Sequence, residues 1–190
     1  MKRLSLADTI SLYRIFAAPI LILVSVLGYR ETFIVLFIIS ILTDLFDGVL
    51  ARLLRQETNL GWWLDSIGDF LTFLAALVAI VIFQREFLIE HGWGVGVIVV
   101  GFLVQVLAGY WKTKNIIRLH TLLAKAASFL QTTFLVALFF SGFFKELFSI
   151  TVISSVLANI EEIIIFLMYG DVDPNTKGIF WVRGRRERQK

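Results

Sequence analysis

The sequence predicts an all-α integral membrane protein, a bundle of six transmembrane helices with both termini in the cytoplasm. Three observations carry that prediction. Of 190 residues, 58% are hydrophobic and 17% charged, whereas a soluble domain has about a quarter of its residues charged. The apolar residues gather into six stretches, each close to the roughly 20 residues that a bilayer-crossing helix needs. Lys and Arg are spread unevenly between the two sets of connections. A soluble core of this size cannot hide so much apolar surface. One membrane domain over residues 1–170, followed by a basic cytoplasmic tail over 171–190, is the expected organisation.

The stretches run over 9–29, 32–53, 61–83, 93–113, 120–142 and 147–169. The first, preceded by Lys2 and Arg3, superficially resembles a signal peptide. No small-x-small cleavage site precedes Gly28 and further spans follow, so it reads as a retained span. Polar connections separate the rest: Arg30-Glu31, Arg55 to Asn59, Gln84 to Gly92, Lys114 to Arg118, and Lys145-Glu146. Alternating spans put the N-terminus, the second and fourth connections and the C-terminus on one side. Of the 18 Lys and Arg, all but Arg30, Arg85 and Lys145 fall on that side, which makes it cytoplasmic.

Six cations (Lys177, Arg183, Arg185, Arg186, Arg188 and Lys190) crowd the last fourteen residues. Beside membrane spans, such a run sits against anionic lipid head groups, and no nucleic-acid partner is expected. The absence of Cys excludes disulfides and thiol chemistry.

Chemistry concentrates where the second and third spans meet. The second ends Asp44-Leu-Phe-Asp47-Gly48-Val-Leu-Ala51-Arg52, and the third begins Gly61-Trp-Trp-Leu-Asp65-Ser-Ile-Gly-Asp69. Asp44 and Asp47 are three apart and Asp65 and Asp69 four apart, so each pair shares a helix face. Neighbouring antiparallel spans joined by a short loop bring the four carboxylates to one depth. Charges there are costly unless paired or functional. They can cap helix ends or pair with Arg52 and Arg55, but two cations do not neutralise four clustered acids. Hard oxygen donors at this spacing suit Mg²⁺ or Mn²⁺. Gly48 and Gly61 let a bulky ligand approach the backbone, and Arg52 offers a planar fork to phosphate. Together these describe a diphosphate site. A divalent-cation transporter would also place acids in spans, yet has no use for these glycines and this arginine. A membrane prenyltransferase also uses paired Asp motifs, but sets them far apart in a longer chain.

The spacing D-x2-D-G-x2-A-R-x8-G-x3-D-x3-D resembles the signature of the CDP-alcohol phosphotransferase family, with every fixed position matched. The family's six-span layout with cytoplasmic termini is similar to the one read above. Ser11-x2-Arg14 before Pro19 resembles the family's N-x2-[ST]-x2-R element, with Asp8 where Asn is usual. The resemblance implies metal-dependent transfer of a phosphatidyl group from CDP-diacylglycerol to an acceptor hydroxyl, releasing CMP, in phospholipid biosynthesis. It implies two Mg²⁺ or Mn²⁺ ions on Asp44, Asp47, Asp65 and Asp69, with Asp69 also the general base. Gly48, Ala51, Arg52 and Gly61 would shape the CDP-lipid pocket. It further implies a homodimer in a bacterial-type cytoplasmic membrane, with the active site facing the cytoplasm.

For the acceptor, a small polar molecule, the candidates are Lys112, Lys114, Arg118 and Lys125. The first three also fit a plain topological role, because cytoplasmic loops are basic and lysines snorkel. Lys125 stands on a polar stripe with Thr121, Ser128 and Thr132, which favours function. Tyr110-x-Lys112-x-Lys114 resembles the Y-x-K-x-R stretch of phosphate-accepting members. Ser66, where glycerophosphate-accepting members carry Pro, points instead toward those that form phosphatidylserine. A phosphorylated polyol, glycerol 3-phosphate or inositol phosphate, is the favoured acceptor; serine and free inositol are the alternatives. Glu161 and Glu162 are read as packing or pairing residues, with Lys125 or Arg14 as partners. His120 reads as interfacial. Gly92 and Gly96 have small-xxx-small spacing.

Overall fold

A computed structural model describes residues 6–54, 59–114, 119, 121–170, 172 and 176–182. Within its helices, the side chains of residues 6–11, 44–54, 59–63, 65 and 66 lie outside that description. Among the described residues the chain is all helical: α1 (Leu6–Val26), α2 (Arg30–Leu54), α3 (Asn59–Phe83), α4 (Arg85–Thr113), α5 (Leu122–Phe140) and α6 (Lys145–Tyr169). The six expected helices are present. Three of them, α4, α5 and α6, are long and apolar enough to cross a membrane, and α1 and α3 carry shorter apolar runs over Leu12–Val26 and Ile67–Phe83.

Three boundaries differ from expectation: Arg30-Glu31 and Lys145-Glu146, read as connections, open α2 and α6, and the third difference is larger. The polar stretch from Gln84 to Gly92 is not a connection, because α4 begins at Arg85 and only Gln84 separates it from α3. Arg85, Glu86 and Glu90 are polar but none breaks a helix, and Glu86 in the first turn faces the positive end of the helix dipole. The backbone bonds Gln84 N–H to Ile80 O and Leu88 N–H to Gln84 O carry the hydrogen bonding across the junction. Polarity here marks position relative to a membrane, not the end of a helix.

The chain forms two compact units, residues 1–88 and 89–190. In the first, α1 packs on both α2 and α3. Ala75, Ala76 and Ala79 of α3, all buried, are small enough to let a neighbouring helix come close, and Ala18 and Leu21 of α1 are equally buried. Phe33 stacks on Phe37 at 5.4 Å between ring centroids and tilts onto Phe83 at 5.8 Å.

In the second unit α5 packs on α6, with Phe134, Leu138 and Phe139 buried on the one and Phe148, Val152, Ile165 and Phe166 on the other. Thr121 opens α5, its hydroxyl accepting the Ala124 amide at 3.0 Å. Gln131 Nε2 donates to Ser155 Oγ at 2.8 Å, joining α5 to α6 through a polar pair. Of the two α4 glycines at small-xxx-small spacing, Gly96 is not needed for packing, since a side chain there would meet open space. Gly94, Gly101 and Gly109 are the ones that make room, for Phe148, Asn159 and Phe166 of α6 in that order.

The residues read as a tail do not all hang free of the fold. Residues 179–182 form a helical turn, and Val182 is buried in a cluster with Leu119, Ile165 and Phe166.

Candidate active site

The signature residues occupy two helices of the first unit. Asp44, Asp47, Gly48, Ala51 and Arg52 lie in the C-terminal half of α2, and Gly61, Asp65 and Asp69 in the N-terminal half of α3. Continuous helix through both segments makes the three- and four-residue spacings real register neighbours. Of these eight residues Asp69 is the one whose side chain is described; the other seven lie outside the described side chains.

Asp69 is held from α1. Arg14 Nη2 donates to Asp69 Oδ1 at 2.5 Å, and the arginine is almost fully buried while the aspartate is about a third exposed, at 3% and 29%. A buried guanidinium needs such a partner, because an uncompensated charge in low dielectric is expensive. Gly68 provides the space: a Cβ there would lie 3.3 Å from Arg14 Cβ and 3.6 Å from Arg14 Cζ. Sequence reading placed Arg14 in a family element and offered it to a glutamate; its partner is Asp69. The signal was available, since an arginine within an apolar span demands an acid. Its identity was not, because the two residues stand 55 positions apart.

The donor chemistry fits a hard divalent cation. Four carboxylates at helical spacing offer oxygen alone, as Mg²⁺ or Mn²⁺ prefers. Among the described residues no three acidic or imidazole groups converge, and three of the four aspartates fall outside them.

The basic residues proposed for an acceptor belong to the second unit. Lys112 is exposed in the last turn of α4. Lys114 is exposed and left-handed, at φ 58°, where its amide bonds Tyr110 O at 2.8 Å and closes the helix. Lys125 is exposed one turn into α5, while Ser128 and Thr132 of its stripe are half-buried. Thr121, read as part of that stripe, is instead fully buried as the helix cap. Arg118 and His120 lie outside the described residues.

Glu161 and Glu162 are used in packing. Gln105 Nε2 donates to Glu162 Oε2 at 2.6 Å in a buried pair between α4 and α6, and the amide of Ile179 donates to Glu161 Oε1 at 3.3 Å. A groove along α4 and α6, lined by Trp93, Val97, Val100, Asn159, Ile160 and Ile163 among others, is apolar but for Asn159 and holds no acid or base.

Comparison with known proteins gives this geometry its context. The family model for CDP-alcohol phosphatidyltransferase matches residues 4–166. A protein of Wigglesworthia glossinidia brevipalpis named CDP-diacylglycerol--glycerol-3-phosphate 3-phosphatidyltransferase is 28% identical over 171 residues, which cover 87% of this chain and 91% of that one. Two proteins of the same name match a shorter stretch. That of Cereibacter sphaeroides is 38% identical over 80 residues, 40% of this chain and 36% of its own. That of Pseudomonas fluorescens is 35% identical over 81 residues, 41% of this chain and 42% of its own. No solved structure matches the chain significantly. With more than half of its length matched, the chain belongs to the CDP-alcohol phosphatidyltransferase family and is an enzyme of that class.

Proposed function

We propose that the enzyme transfers the phosphatidyl group of CDP-diacylglycerol to glycerol 3-phosphate and releases CMP. One observation carries the reading: the complete D-x2-D-G-x2-A-R-x8-G-x3-D-x3-D spacing on α2 and α3, in a chain whose relatives are named for that reaction. Those names also favour glycerol 3-phosphate over inositol phosphate, and over the serine suggested by Ser66.

Asp44, Asp47, Asp65 and Asp69 would hold two divalent cations, Mg²⁺ or Mn²⁺, whose chemistry when bound is to polarise the diphosphate and stabilise the departing CMP oxygen. Arg52 grips a phosphate of the nucleotide, and Gly48, Ala51 and Gly61 leave its pocket open. Asp69 accepts the proton of the acceptor hydroxyl. The hydroxyl oxygen then bonds to the lipid-side phosphorus, and the bond from that phosphorus to CMP breaks. Arg14 orients Asp69 through one carboxylate oxygen. Lys112, Lys114, Arg118 and Lys125 bind the phosphate of the acceptor. The enzyme crosses a bacterial-type cytoplasmic membrane six times, with both termini and the active site on the cytoplasmic side, and works as a homodimer.

The test uses full-length protein in mixed micelles of CDP-diacylglycerol with Mg²⁺ or Mn²⁺. Glycerol 3-phosphate, inositol phosphate, serine and free inositol are offered in turn. CMP release and a phosphatidylglycerol phosphate mass are expected with glycerol 3-phosphate alone, and EDTA abolishes both. A product with serine or inositol corrects the acceptor. No CMP with any acceptor, together with metal uptake into vesicles, overturns the reading in favour of transport.

A further inference from the structure

The C-terminal segment 176–182 touches the connection between α4 and α5, on which the acceptor reading above places Lys114 and Arg118. Val182 is buried against Leu119, the neighbour of Arg118 in sequence, and Ile179 packs on the same cluster. Lys177 O accepts the amide of Leu122 at 3.1 Å. That amide opens α5, where the first N–H groups have no acceptor within the helix. Thr121 supplies one acceptor from its own side chain; the segment supplies another. Thr176 is buried as well.

The segment is in turn held by α6. Glu161 Oε1 accepts the amide of Ile179 at 3.3 Å, at the start of the helical turn 179–182. Gly178 permits that approach twice over. Its φ of +150° is one that side-chain-bearing residues rarely adopt, and a Cβ there would stand 2.9 Å from Glu161 Oε1. Lys177 Nζ lies 4.8 Å over the Trp181 ring, closing the turn on itself. Outside the segment, at the C-terminal cap of α6, a Cβ on Gly170 would come 3.8 Å from Lys112 Cε.

We propose that residues 176–182 form a strap that holds the α4–α5 connection in place for acceptor binding, with Glu161 as its positioning residue. Glu161 touches no substrate. It fixes the strap, and the strap fixes Leu119 and Leu122, which stand in the chain between Lys114 and Lys125. The proposal rests on the acceptor reading above, and its consequence is specific: loosening the strap weakens the grip on the small acceptor and leaves the CDP-lipid unaffected.

The experiment compares Glu161→Ala, Glu161→Gln and Gly178→Ala in full-length protein in the same micelles. The two alanine variants are expected to raise KM for glycerol 3-phosphate about fivefold, the scale of one hydrogen bond. KM for CDP-diacylglycerol and kcat stay within about twofold. Glu161→Gln keeps an oxygen to accept the Ile179 amide and retains the wild-type KM. Hydrogen exchange at residues 119–124 rises in both alanine variants, and this reading does not depend on which acceptor is used. If wild-type enzyme releases no CMP with glycerol 3-phosphate, the acceptor reading falls and exchange alone decides the strap. Unchanged exchange at those residues overturns it, as does a parallel rise in both KM values or a glutamine variant as impaired as the alanine.

Discussion

Two carboxylates, one in each unit, are satisfied by different kinds of partner. Asp69 on α3 faces the guanidinium of Arg14; Glu162 on α6 faces the neutral amide of Gln105. An amide supplies a hydrogen bond and no countercharge. Here it joins α4 to α6. A buried guanidinium holds its partner in one orientation through a charge-assisted hydrogen bond. Under the function proposed above, these two partners distinguish Asp69 from Glu162 where sequence spacing alone does not.

Five substitutions sharpen or break that contrast. The largest effect is expected from Asp69→Asn, which removes the proton acceptor: kcat falls about a thousandfold, while CDP-diacylglycerol still binds, as checked by CMP release and by equilibrium binding of the lipid nucleotide. Loss of binding together with turnover would make Asp69 a ligand only. Arg14→Gln is next, lowering kcat roughly tenfold to a hundredfold through misorientation of Asp69, with KM for CDP-diacylglycerol little changed. An unimpaired kcat there would remove the distinction drawn above. Lys125→Ala is expected to raise KM for glycerol 3-phosphate about fivefold, the upper range for one exposed charge pair, and to spare the CDP-lipid; equal rises would withdraw Lys125 from the acceptor site. Smallest is Glu162→Gln, where turnover stays within about twofold because an amide pair replaces an amide–carboxylate pair. Its companion Glu162→Ala strands Gln105 and costs about 1–3 kcal/mol of stability, read as a lower melting temperature in detergent. A Glu162→Gln enzyme without activity would place this acid in the chemistry after all.

Much of the fold was legible because hydropathy is a local property. Every one of the six apolar stretches became a helix, and the paired aspartates fell within continuous helix as their spacing required. The error over 84–92 came from equating charge with a connection. Helix formation asks for the absence of breakers, and there are none between Arg85 and Glu90. What stayed hidden depended on distant residues. Spacing along α1 cannot say that Arg14 meets Asp69, nor spacing along α6 that Glu162 meets Gln105. The glycines of α4 teach the same point: motif spacing favoured Gly92 and Gly96, while the helix opposite decides which glycines are needed. The buried part of the segment after Gly170 was masked by the basic run around it, which drew attention to charge and away from Ile179 and Val182.

Those glycines of α4 have a mechanical consequence. Phe148, Asn159 and Phe166 advance along α6 in the same order as the vacancies at Gly94, Gly101 and Gly109, so the two helices run parallel and are keyed at three heights. Sliding one past the other by a turn, about 5.4 Å, would take all three side chains away from their glycines at once. Piston-like travel is barred. The pair serves as a fixed ruler within the second unit.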